Sequence, residues 1–414
     1  MTPVDLTVPE VNELLARRSE KWCGHTPGVL SSTIAEMDFP LAAPVARALR
    51  VAIDRDDLGY APANPLRLAD AFAQFARRRL NWRVDPGQVT LVPDVMVGLI
   101  ELCRVLAAPG ERVAFATPAY PPFFPELAHP DRELVQLPIR ADRSLDTNAL
   151  ERALAAGVRV LVLPTPHNPT GHVYRRHELE RIADICHAHG AWVLADEIWA
   201  ALVLDGCTHT PWLEVSDAAR ERGIALTSAS KAFNVAAGKT ALVVTASDRA
   251  HDAVRRVPSL TDHAGLLGVI AAEAAFTEGD EWLDAVLRRL TANRTLLGER
   301  LAAELPDIDW TPPDATYLAW LDCRRLGLGD DPAAAFLTHG RVALSPGLDY
   351  GPAGAGFVRL NFGTSPEHLI DIVQRMRHAA DTSRGRRHDG PLPVSDRSAR
   401  RSVGHRSGET GCKR

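Results

Sequence analysis

Thr227-Ser228-Ala229-Ser230-Lys231-Ala232-Phe233-Asn234 follows the apolar run Ile224-Ala225-Leu226 and precedes a second cation, Lys239. The run before it reads as a buried strand. A lysine that is to form an imine needs a site short of water, because desolvation lowers its pKa toward neutrality. Two hydroxyls just before the amine and a cation just after it make a place for an anion. On its own, Ser-x-Ser-Lys is common and equally suits a surface lysine at a helix start. Its weight comes from the strings that stand upstream.

His167-Asn168-Pro169-Thr170-Gly171 follows the apolar run 158–163, and Asp196-Glu197-Ile198-Trp199 closes the run Trp192-Val193-Leu194-Ala195. All three strings fall at carboxyl ends of predicted strands, where open α/β sheets hold their ligands. An amine, a carboxylate and an amide meeting there suit a pyridine ring that carries an aldehyde, a phenolic oxygen and a phosphate.

The 414 residues are 46% hydrophobic and 24% charged, a balance that supplies a large core. A formal net charge of -5 argues against nucleic acid as the partner. No apolar run approaches a membrane span, and Met1-Thr2-Pro3-Val4-Asp5 has no secretory character. Cys23, Cys103, Cys186, Cys207, Cys323 and Cys412 make no C-x-x-C pair and no metal-ligand spacing, which predicts a cytoplasmic protein without zinc.

Strands are expected at 89–92, 113–115, 134–137, 158–163, 192–195, 224–227 and 241–245, with helices at 65–80, 97–106, 149–155 and 176–188 between them. This alternation predicts a mainly parallel sheet covered on both faces. The predicted organisation is an N-terminal arm (1–45), a large domain (46–285), a smaller α/β domain (286–380) and a disordered tail (381–414). The tail is rich in Arg, Ser and Gly and poor in large apolar residues. It reads as a solvated extension, with an arm for an anionic partner as the alternative.

In these motifs the chain resembles the fold-type I pyridoxal phosphate enzymes, the class I/II aminotransferases, from about residue 22 to about 376. Lys21-Trp22, Ala35-Glu36-Met37-Asp38-Phe39, Leu58-Gly59-Tyr60 and Val358-Arg359-Leu360-Asn361-Phe362 bring it nearest to the MalY/PatB-type C–S lyases. The resemblance implies an aspartate aminotransferase-like α/β fold. Its large domain has a mixed, mainly parallel seven-stranded sheet, beside a smaller C-terminal α/β domain. It also implies pyridoxal 5'-phosphate as cofactor, an amino acid as substrate and a homodimer as the active unit.

Carried over residue by residue, Lys231 holds the cofactor covalently and then moves the substrate's Cα proton. Asp196 faces the pyridine nitrogen and keeps it protonated, helix capping being the plain alternative. Asn168 donates to the phenolic oxygen, unless the string is merely an Asn-Pro turn. Tyr120, in Thr117-Pro118-Ala119-Tyr120-Pro121, stacks on the ring and is grouped with Lys231 as catalytic; simple packing is the alternative. Ser228, Ser230, Lys239 and the N–H groups near Val95 and Met96 take the phosphate. Tyr60 reaches the neighbouring subunit's phosphate. Arg359 binds the substrate carboxylate with its planar fork, a domain–domain salt bridge being the other reading.

Two departures stand out. Asp94 occupies a phosphate-loop position where relatives carry a small residue, and it is expected to point away or to cap the next helix. Trp199 replaces the His or Tyr usual three residues after the ring aspartate. An indole donates one hydrogen bond but neither accepts nor carries a proton, so a reshaped substrate pocket is expected there. His167, His209 and His263 are given no catalytic role. The leading reading is α,β-elimination on an S-substituted L-cysteine, giving a thiol, pyruvate and ammonia, in a specialised pathway or otherwise. The alternatives are an aminotransferase, an oxygen-dependent decarboxylating deaminase of a cysteine conjugate, and a non-enzymatic regulator or binding protein that keeps the fold.

Overall fold

A computed structural model describes residues 4–62, 66–128, 132–258 and 263–388. The seven expected strands form at β1 (Val89–Val92), β2 (Arg112–Thr117), β3 (Glu133–Pro138), β4 (Val158–Pro164), β5 (Trp192–Asp196), β6 (Gly223–Thr227) and β7 (Ala241–Val244). They make one sheet in the order β1-β7-β6-β5-β4-β2-β3, in which β7 alone runs antiparallel to its neighbours.

The strands read as continuous apolar runs because both faces are buried. Ala114, Leu161, Leu163, Ala195 and Ala225 point into one core, while Val113, Phe115, Val160, Val162, Leu194 and Leu226 point into the other. Burying each such Val, Leu or Phe contributes roughly 1.5–3 kcal/mol. That is enough for packing to fix which residues face which side.

Helices cover both faces: α1 (Ala43–Asp54), α2 (Leu66–Leu80), α3 (Val95–Leu106), α4 (Thr147–Ala155), α5 (Arg176–Ala188), α6 (Leu266–Glu278), α7 (Asp280–Glu304) and α8 (Pro366–His388). α3 lies on the second core, and its Gly98 lets the helix approach Leu226 of β6 closely.

A second, antiparallel sheet joins β8 (Asp309–Trp310), β9 (Leu318–Asp322), β10 (Ser345–Pro346) and β11 (Phe357–Asn361) in the order β10-β11-β9-β8. The N-terminal segment reaches this side of the molecule: Leu30–Ser31 pairs in parallel with Val342–Ala343, and the Asn361 N–H donates to the Ser32 carbonyl at 2.9 Å. The boundary expected at 285 falls inside the 25-residue helix α7.

The tail expected to begin disordered at 381 does not do so. α8 runs to His388, with the Ser383 hydroxyl donating to the Ala379 carbonyl at 2.9 Å and Asp381 3.6 Å from Arg377. Extending a formed helix adds one hydrogen bond for each residue fixed, so the polar composition did not stop it. Residues 389–414 lie outside the described residues.

Candidate active site

β1, β2, β4, β5 and β6 all run in one direction, so their carboxyl ends share one edge of the sheet. That edge carries Asp94 after β1, Tyr120 after β2, Asn168 after β4, Asp196 at the end of β5 and Lys231 just beyond β6. The reversed strand β7 begins there, which brings Lys239 to the same edge.

Lys231 sits in a single helical turn, Ala229–Ala232, capped by Ser228. Its Nζ donates to the Ala35 carbonyl at 3.1 Å and lies 5.9 Å from the centroid of the Trp199 ring. Burial, reinforced by the Arg359 charge, brings the amine's pKa down to about 8. Asp196 is buried and accepts a hydrogen bond from the Ile198 N–H at 3.2 Å. Burial pushes its carboxyl up to about 6; the Ile198 N–H and the Lys231 charge oppose the rise, and the Glu197 charge adds to it.

Asn168 is held by its carbonyl end, which accepts from Arg359 Nη1 at 3.2 Å. Nη2 of the same arginine donates to the Thr33 carbonyl at 3.0 Å and to the Ser345 hydroxyl at 3.4 Å, and the guanidinium carbon lies 5.1 Å from the Tyr350 ring centroid. Arg359 Nε is buried and has no partner among the described residues. Arg359 therefore reaches from the small sheet to the edge of the large one through hydrogen bonds alone; among the described residues it makes no ion pair of the kind the alternative reading expected. Tyr120 packs edge-on against Phe123, ring centroids 5.8 Å apart, and burial pushes its hydroxyl up to about 12.

At the end expected to take the phosphate, Asp94 caps the next helix as expected, whereas the Ser228 hydroxyl and the Lys239 amine have partners within the protein. The Ser228 hydroxyl is committed to the protein: it donates to the Thr240 carbonyl at 2.6 Å and accepts from the Ser230 N–H at 3.0 Å. Ser228 is thus foremost a cap for the turn that carries Lys231. Asp94 caps α3, its Oδ1 accepting from the Val97 N–H at 2.8 Å, while its Oδ2 takes Lys239 Nζ at 2.9 Å. Val95 and Met96 open that helix.

The sequence reading missed what covers the lysine. The Ala35 carbonyl also accepts from the Tyr317 hydroxyl at 2.8 Å. Asn361 Nδ2 donates to the carbonyls of Ile34 and Glu36 at 2.6 and 2.7 Å, and Asn234 bonds both the N–H and the carbonyl of Met37. Buried Lys21 ties the Glu36 carbonyl and the Asp38 carboxylate to the same strap. Both asparagines belong to motifs quoted above, but no local pattern shows that they clasp a segment 197 and 327 positions away in sequence.

The remaining residues fall as follows. Trp199 is buried, edge-on to Tyr317 with centroids 5.0 Å apart. His167 is buried beside the Thr170 hydroxyl at 2.9 Å, with its pKa lowered to about 3 by burial. His209 is buried 3.6 Å from Glu197, and His263 is exposed. Tyr60 is 96% exposed. Among the described residues no cluster of His, Cys, Asp or Glu has the makings of a metal site, and no helix is long and apolar enough to cross a membrane.

Residues 33–376 match the class I and II aminotransferases. The chain belongs to that family. Its fold is the aspartate aminotransferase-like fold type I, and its similarity to individual members runs nearly end to end. A Mycobacterium tuberculosis (strain H37Rv) protein carrying the provisional name cystathionine β-lyase is 40% identical over 403 residues, covering 91% of this chain and 98% of the relative. The cystathionine β-lyase PatB of Bacillus subtilis is 32% identical over 382 residues, covering 89% and 98%. A crystal structure provisionally described as a PLP-dependent β-cystathionase from Corynebacterium diphtheriae superposes with a TM-score of 0.87 at 34% identity, covering 91% of this chain and 99% of its own.

Proposed function

We propose that this family member is a pyridoxal-phosphate-dependent carbon–sulfur lyase that eliminates a thiol from an S-substituted L-cysteine. The observation that carries the reading is a lysine amine brought to about 8 in one cleft with a carboxyl pushed up to about 6 and an arginine whose buried Nε has no partner. The residues fit the cofactor. Among the described residues the Asp196 carboxylate accepts one hydrogen bond, and its unfavourable burial is one that a pyridinium N–H would relieve; the Asn168 amide, whose oxygen accepts from Arg359, would donate from its NH₂ to a phenolic oxygen. When bound, pyridoxal phosphate supplies an electron sink for a carbanion at the substrate's Cα.

The protein's own groups then do the rest. Arg359 orients the substrate through its carboxylate, and the Lys231 amine takes the Cα proton. The electron pair left at Cα forms the Cα–Cβ double bond as the Cβ–S bond breaks, and sulfur leaves with its electrons, taking the proton from the Lys231 ammonium to depart as the thiol. Hydrolysis of the released 2-aminoacrylate with one water gives pyruvate and ammonia. The relatives named above as cystathionine β-lyases support this outcome over others.

The two sheets correspond in this reading to a large cofactor domain and a smaller one. A homodimer completes the site, with Tyr60 donated across the interface. Exposed Leu41, Ile53, Leu58, Leu66 and Leu267 on or beside α1, α2 and α6, of which α6 packs on both others, make the apolar face that a second copy covers. Incubation with L-cystathionine and with a bulkier S-conjugate should release pyruvate from at least one. Activity that needs a 2-oxo acid, with none on either conjugate, would instead mark the chain as an aminotransferase, the reaction its family is named for.

A further inference from the structure

The phosphate end of the cleft carries a feature that the elimination chemistry does not require. Asp94 holds a position from which one carboxylate serves two partners: Oδ1 caps α3 through the Val97 N–H at 2.8 Å, and Oδ2 pairs with Lys239 Nζ at 2.9 Å. The lysine's backbone is itself committed to this place, in the left-handed region at φ 48° between a 3-10 turn and β7. Both side chains keep contact with solvent, 31% for Asp94 and 68% for Lys239, so the pair is weak in itself. Its consequence lies in what it does to an incoming anion. A phosphate seated on the Val95 and Met96 N–H groups meets the favourable end of the α3 dipole, but also a fixed negative charge one residue away. The cation that would offset that charge is already neutralised by it.

We infer that Asp94 is a charge gate on the phosphate end of this cleft, engaging Lys239 and lowering the affinity for the cofactor's dianionic phosphate so that the cofactor exchanges readily. The inference rests on the cofactor reading above, and it makes Asp94 a positioning residue that acts through Lys239 and through the field at the helix start. Capping alone gives a different expectation, because asparagine caps a helix as well as aspartate does without carrying the charge.

The test is cofactor binding to the apo-protein, followed by absorbance, for the wild type, Asp94→Asn and Asp94→Ala. Pyridoxal 5'-phosphate, pyridoxal without the phosphate, and inorganic phosphate as competitor are titrated in parallel. Asp94→Asn should bind pyridoxal phosphate about tenfold tighter, the scale of one unit charge removed from the neighbourhood of a dianion near a protein surface. It should release the cofactor correspondingly more slowly on gel filtration, be occupied by inorganic phosphate at lower concentrations, and bind pyridoxal as the wild type does. Asp94→Ala, which also loses the cap, should gain less. Unchanged or weaker binding of pyridoxal phosphate by Asp94→Asn, or an equal gain for pyridoxal, overturns the gate while leaving the cofactor assignment standing. Wild-type protein that binds neither form overturns both.

Discussion

Burial acts on the two central titrating groups in opposite senses, and the stability of the apo-protein registers both. Asp196 carries a folded-state pKa of about 6 against an ordinary 3.8. Between those values the folded chain holds a proton that the unfolded chain has lost, so stability falls as pH rises from about 4 to about 6 and stays lower above. Asp196→Asn removes that loss. At pH 7.5 the apo variant should exceed the wild type by up to about 3 kcal/mol in urea unfolding, and by much less at pH 4. The same variant should lose pyruvate production, because an amide cannot keep the pyridine nitrogen protonated. Lys231 works the other way: with its pKa brought down to about 8, apo stability rises as pH climbs from about 8 toward the ordinary 10.5. A variant at Asp196 that is less stable than the wild type at pH 7.5 would show that the carboxylate is held by partners rather than opposed by burial.

At the scale of elements, the turn after β4 decides whether Asn168 faces the cleft. Gly171 has φ 65°, and its carbonyl accepts from the N–H groups of Asp314 and Ala315 at 3.0 Å each. A methyl group there would run into Pro313 and sit 2.8 Å from the Ala315 carbonyl oxygen. Gly171→Ala should therefore cost roughly 2–4 kcal/mol, from the left-handed backbone and the clash together. It should also weaken cofactor binding, since Asn168 moves with the turn; a thermal melt and a cofactor titration on the same sample check both. Element identity was written into the chain: the runs expected at 89–92 and 158–163 became β1 and β4, and Arg176–Ala188 became α5 with the expected bounds. The end of α8 was not, because helix continuation past residue 380 depends on the turns already formed beneath it.

At the scale of the whole molecule, the proposed dimer would cover the exposed apolar residues of α1, α2 and α6 together with Tyr60. Sedimentation should show a particle of two 45.0-kDa chains. Tyr60→Phe, which deletes one hydroxyl, should leave that mass unchanged yet weaken pyridoxal phosphate binding several-fold while sparing pyridoxal. A monomer in solution, or a Tyr60→Phe variant with unaltered phosphate affinity, removes the cross-subunit role. Assembly of the cleft is itself a whole-molecule matter. Arg359 comes from the small sheet, Thr33 and Ala35 from the N-terminal strap, and Lys231 from the large sheet.

By itself the sequence determined the strand and helix pattern and the family, and it singled out Lys231, Asp196 and Asn168 as candidates for the site. Each of these depends on residues close together in the chain, or on strings whose order is fixed by strand ends. Only the tertiary structure decided that Asn234 and Asn361 clasp the 34–37 strap over the lysine, that the Ser228 hydroxyl gives its proton to the Thr240 carbonyl, and that Asp94 and Lys239 neutralise each other. Those outcomes are hydrogen bonds and ion pairs between groups far apart in sequence. Their partners compete on distances of a few ångströms, which no local pattern encodes.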